Sequence, residues 1–133
     1  MGAVPSRAVH IRAAAAVALA LALGTAPPTL GDDDVRVAGA CGTGADARLR
    51  LKSDDGAIRV EFEVDSRRGR ERWRVILVHE RRVVWRGRAR TRPGSRSFRI
   101  RRSIPDFDGV DEVSVRASGP GGNTCQASAT LKA

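Results

Sequence analysis

From Ile58 to Asp65 the chain alternates apolar and charged residues without a break. Ile58, Val60, Phe62 and Val64 fall on one side of an extended backbone, and Arg59, Glu61, Glu63 and Asp65 on the other. A helix would scatter these four apolar residues around its cylinder, because an apolar helical face needs spacings of three and four. The segment therefore reads as a half-buried strand, and the β-branched Ile and Val agree with that. Two more segments of the same kind follow at once. Trp73, Val75 and Leu77 alternate with Arg74, Ile76 and Val78, and then Val83, Trp85, Gly87 and Ala89 alternate with Val84, Arg86, Arg88 and Arg90.

The same period runs through the rest of the chain. Upstream, Ala47, Leu49 and Leu51 alternate with Arg48, Arg50 and Lys52 and stop at the turn signal Ser53-Asp54-Asp55-Gly56. His79 to Arg82 makes a turn, and Pro93-Gly94 is another. Beyond them Phe98 and Ile100 alternate with Arg99 and Arg101, and Val113, Val115 and Ala117 with Ser114, Arg116 and Ser118. Cys125, Ala127, Ala129 and Leu131 form the last run. Gly39 to Gly44, Ile104 to Asp111 and Gly119 to Asn123 read as loops, and Val35 to Val37 as a short edge strand or lead-in. Seven strands with turn signals about ten residues apart predict an all-β chain, an immunoglobulin-like antiparallel β-sandwich. A five-stranded closed barrel ranks second.

The N-terminus has a different character. Arg7 and Arg12 precede an uninterrupted small and apolar run from Ala13 to Leu23, followed by Gly24, Thr25, Ala26 and two prolines. This is the layout of a secretory signal peptide, and the run is shorter than the about 20 apolar residues of a membrane span. Residues 1–31 are accordingly expected to be signal peptide and short linker, with cleavage between Gly24 and Gly31, and residues 32–133 a single secreted domain. The net charge of +9 falls to +7 once Arg7 and Arg12 leave with the signal. Val37 to Cys41 faintly resembles a lipobox, but Asp32 to Asp34 separate it from the apolar run, so a lipoprotein anchored at Cys41 is the lesser alternative. Two cysteines in an exported chain allow one intramolecular pairing, which predicts one disulfide, Cys41 to Cys125.

The run Glu61-Phe62-Glu63-Val64-Asp65, the Trp73-Arg74-Val75 and Trp85-Arg86-Gly87 triplets and the late Cys125 together give a pattern over Ala47 to Leu131. It resembles small secreted immunoglobulin-like β-sandwich proteins of actinobacteria, a class of unassigned function. The resemblance implies a fold and an extracellular location, and no chemistry. It departs from antibody domains, whose disulfide joins the second and sixth strands, since here the cysteines flank the domain.

No catalytic, cofactor or metal motif stands out. His79 lies at a turn with no nucleophile implied nearby and reads as a solvated histidine, so no enzyme is expected. Asp106, Asp108, Asp111 and Glu112 gather around Gly109, yet the spacing lacks the third ligand and late Glu of a calcium loop and reads as turn chemistry. Trp73 and Trp85 share a strand face with Val75, Leu77, Val83 and Ala89, which favours core packing over stacking on sugars. The arginines divide into two sets. Arg48, Arg50, Arg99 and Arg101 should face outward beside Glu61 and Glu63, with their charges matched. Arg74, Arg86, Arg88, Arg90 and Arg116 should face outward on the opposite sheet with no acid among them. That second set is the candidate site of a non-enzymatic module for anionic polymers at the cell envelope, such as wall polymers, acidic lipids or nucleic acid bound without sequence specificity. The alternative is a structural or inhibitor-type protein-binding domain using an apolar edge at Ile76, Val78 and Val84. A third reading is a carrier for a small apolar ligand between the sheets.

Overall fold

The structure, a computed structural model, describes residues 2–3, 33–42 and 44–132. Apart from residues 2 and 3, the expected signal peptide, its cleavage site and the linker lie outside the described residues. Among the described residues nine strands follow in order: β1 Asp34–Ala38, β2 Ala40–Cys41, β3 Asp46–Asp54, β4 Ala57–Asp65, β5 Arg72–His79, β6 Arg82–Arg90, β7 Ser97–Pro105, β8 Val110–Ser118 and β9 Thr124–Lys132. They form two antiparallel sheets, ordered β1-β3-β4-β7 and β2-β9-β8-β5-β6.

The seven expected strands are β3 to β9. The first, second and fifth of them share one sheet and the remaining four the other, the connectivity of an immunoglobulin-like sandwich. The lead-in contributes to both sheets: β1 pairs with β3, and beyond Gly39 the chain pairs with β9 as β2. A Cβ on Gly39 would stand 2.8 Å from the Ala47 Cβ and 2.9 Å from the Gln126 carbonyl, so the crossing needs glycine. In β2 the residue facing Cys125 is Cys41, and the two form a disulfide across 84 residues of sequence.

Two of the expected loops are shorter than their Gly and Pro content implies. Ala40 and Cys41 are strand, and the Ile104 to Asp111 stretch is loop only from Asp106 to Gly109. Ile104 is buried opposite Ile58, and this apolar pairing carries β7 on to Pro105, which as the last residue of an edge strand leaves no ladder bond unmade. The Asp55-Gly56 signal is met by positive φ at both residues, 46° and 78°, the geometry of a tight hairpin turn.

The core fills the space between the sheets. Leu49, Leu51, Ile58, Val60, Phe62 and Val64 project from one side and Trp73, Val75, Leu77, Val113, Val115 and Leu131 from the other, all buried. Full burial of such side chains contributes about 1.5–3 kcal/mol each. Phe98 links the layers, its ring 6.4 Å from Phe62 and 5.7 Å from Trp73.

Candidate functional site

The outer surface of β6, β5 and β8 is set by register. Arg74 on β5 faces Arg88 on β6, Arg72 faces Arg90, and Ile76 lies between Arg86 on β6 and Arg116 on β8. All six arginines are exposed, while Trp73, Val75 and Leu77 turn inward from the same strand. The structure thus brings Arg74, Arg86, Arg88, Arg90 and Arg116 onto one face and adds Arg72. Arg72 sits one residue before the alternation that the sequence reading begins at Trp73, and extending the period backwards by one step would have included it. The neighbouring outward positions on β8 and β9 are Ser118, Ser114, Gln126 and Ser128, and β8 carries one acid in the same outward phase, the exposed Glu112 beyond Ser114, contrary to the expectation of a face without acids. Among the described residues none of the six arginines forms an ion pair.

The opposite sheet is matched at Arg50, Arg99 and Arg101, whereas Arg48 forms no ion pair among the described residues. Glu61 stands between Arg50 and Arg101 in register, and Glu63 between Arg48 and Arg99. Arg101 Nε lies 3.0 Å from Glu61 Oε1, and Arg99 Nε donates to Glu63 Oε2 at 3.0 Å. Arg50 also has a partner on β1 that the strand pattern left unassigned: its Nε and Nη2 donate to the two carboxylate oxygens of Asp34 at 2.9 and 2.7 Å. This two-pronged bond holds the Asp34 pKa at about 2 against an ordinary 3.8.

The tryptophans differ from each other. Trp73 is buried, as expected of a core residue, with the chain at Gly119 lying against its ring. Trp85 is half-buried near the rim of the sandwich, where β6 and β7 are the edge strands. The Arg102 guanidinium stands 4.2 Å from the Trp85 ring centre, a cation–π contact between the two sheets. On the apolar edge Val83 and Val84 are exposed at 46% and 44%, whereas Ile76 and Val78 are half-buried. The pairing between β5 and β6 shifts at Leu77/Val78, which leaves Val84 as the extra residue of a bulge. Between the sheets, the space that an apolar ligand would need is occupied by the core side chains themselves. The Cys41 sulfur is bonded to Cys125, whereas a lipid attached there would need it free.

His79 corrects the sequence reading. It is not a solvated turn residue: its side chain is fully buried, with Nε2 2.7 Å from Asp111 Oδ1. The turn itself is Glu80-Arg81, both with positive φ, so His79 remains in β5 and inherits the inward phase of Trp73, Val75 and Leu77. Asp111 likewise holds the inward phase of β8 and accepts a second bond from the Phe107 amide at 3.1 Å. The Phe107 ring stacks on the imidazole, centre to centre 4.5 Å. Burial raises the Asp111 pKa, but the bonds from His79, Asp106 and the Phe107 amide outweigh it and bring the pKa below its ordinary value. Asp106 moves the other way, chiefly through its bond to Asp111, then through burial and the charges of Asp111 and Asp108. The sequence held the signal for this cluster in the phase of His79 and Asp111, but no spacing linked residues 32 positions apart.

Compared with protein-family models, curated proteins and solved structures, the chain matches none.

Proposed function

We propose that the protein is an exported, non-enzymatic binding module whose arginine face docks polymers bearing phosphate or carboxylate groups at the cell envelope. The observation that carries this is the register of β6, β5 and β8, which sets arginine opposite arginine with no acid between. Like charges directly across a strand pair are destabilising, and a polyanion laid along the face removes that cost. Alternate residues of an extended strand lie about 6.8 Å apart, so Arg86, Arg88 and Arg90 form a row that a polymer with repeated charges can follow. Each guanidinium binds phosphate or carboxylate through two parallel N–H donors. The disulfide is compatible with an oxidising, extracytoplasmic setting.

The test is retention on immobilised polyphosphate and on immobilised polyuronate, eluted with salt. Exchange of Arg86, Arg88 and Arg90 together for Gln is expected to abolish retention, and exchange of Arg48, Arg50 and Arg99 to change it little. Equal losses from both triple variants would mean that net charge alone binds.

The exposure of Val83 and Val84 on an edge strand favours a second reading, a protein-binding edge. Binding of that kind would be insensitive to salt and lost on Ile76→Asp or Val84→Asp.

A further inference from the structure

The end of the sandwich where β5 turns into β6 and β7 loops into β8 has an electrostatic imbalance. Three buried polar atoms there have no hydrogen-bond partner among the described residues outside the Asp106–Asp111 carboxyl pair itself: His79 Nδ1, Asp111 Oδ2 and Asp106 Oδ1. An ordinary structural His–Asp pair meets the second imidazole nitrogen and the second carboxylate oxygen with backbone or side-chain partners, because an unmet buried polar atom costs about 1–3 kcal/mol. Here the lone pairs exceed the donors, and the groups that carry them are metal-ligand types.

The geometry points to a divalent transition-metal site at His79, Asp111 and Glu80, suited to zinc. One imidazole nitrogen and one carboxylate oxygen from each acid lie within 4.8 Å of one another. Zinc takes nitrogen and oxygen ligands at about 2.0–2.2 Å, which sets ligand atoms about 3.4 Å apart in a tetrahedron, so Glu80 must draw in while the 2.7 Å contact between His79 and Asp111 opens to admit the ion. Glu80 is the member free to do so, since it is exposed at the turn while His79 and Asp111 are fully buried. Its positive φ places it at the hairpin tip, where its Oε1 accepts the Glu112 amide at 2.6 Å. Asp106, bonded to Asp111, is the next carboxylate available for the fourth position. The imidazole distinguishes this set from an all-oxygen calcium loop.

The experiment is calorimetric titration of chelator-stripped, disulfide-intact protein with zinc chloride near neutral pH, together with thermal unfolding in zinc, in calcium and in chelator. One equivalent of zinc is expected to bind and to raise the unfolding midpoint, with calcium doing neither. Glu80→Gln retains the acceptor for the Glu112 amide, so it should unfold like the parent in chelator yet bind zinc weaker by about tenfold or more. Cobalt(II) is expected to give the intense visible absorption of a tetrahedral site, lost in His79→Gln. No zinc binding by the parent protein, an equal rise with calcium, or zinc affinity unchanged in Glu80→Gln would each overturn the assignment.

Discussion

Arg74 and Arg88 stand directly opposite each other on adjacent strands, both exposed and neither in an ion pair among the described residues. If this pair is held for binding and not for folding, Arg88→Glu should relieve it. The variant is expected to gain about 0.2–1 kcal/mol in urea denaturation, from a cross-strand ion pair with Arg74, while its retention on polyphosphate falls. A loss of stability would show that the repulsion is already screened.

The bond between Cys41 and Cys125 closes 84 residues, nearly the whole domain. A loop of that length corresponds to about 4.5 kcal/mol in the chain-entropy model. The double exchange of both cysteines for Ala is expected to lower unfolding free energy by about 2–5 kcal/mol. Thiol titration of the unfolded, unreduced protein should find no free cysteine among Cys41 and Cys125.

Asp34 offers a pH test of the β1 edge. Its folded-state pKa of about 2 lies below the ordinary 3.8, so the Arg50 pair stabilises fully above that ordinary value and is lost as pH falls towards 2. Carboxyl carbon titration by NMR should place Asp34 near the lower value. In Arg50→Gln it should return towards 3.8, and the acid sensitivity of β1 pairing over this window should disappear.

Gly119 has φ −110° and ψ −171°, a conformation open to any residue, so its role is steric. A Cβ there would stand 2.5 Å from the Trp73 ring. Gly119→Ala is expected to cost about 1–3 kcal/mol by overpacking and to shift the Trp73 emission. An unchanged midpoint would mean that the Gly119 loop yields freely.

What the residues determined by themselves is what local chemistry controls. Alternation with period two fixed which side chains of β3 to β9 face inward, because successive residues of an extended chain point to opposite sides. Asp55-Gly56 marked its hairpin because these residue types accept positive φ, and two cysteines left one pairing. The matched and unmatched arginine sets were legible for the same reason, once the strands were assigned to sheets, except at Arg48, which faces Glu63 in register yet forms no ion pair among the described residues because Arg99 holds that carboxylate. Tertiary packing decided the rest. Asp34 met Arg50 only because the lead-in pairs beside β3, and Ala40-Cys41 became strand only because β9 offered a partner, so neither carries a local signal. Arg102 shows the same limit: its inward phase on β7 predicts burial, yet at the open rim the Trp85 ring receives it. His79 is the clearest instance. Its position beside a polar turn suggested water, but the extra inward step of β5 and the arrival of Asp111 from β8 buried it, because side chains far apart in sequence meet only when two sheets close on one core.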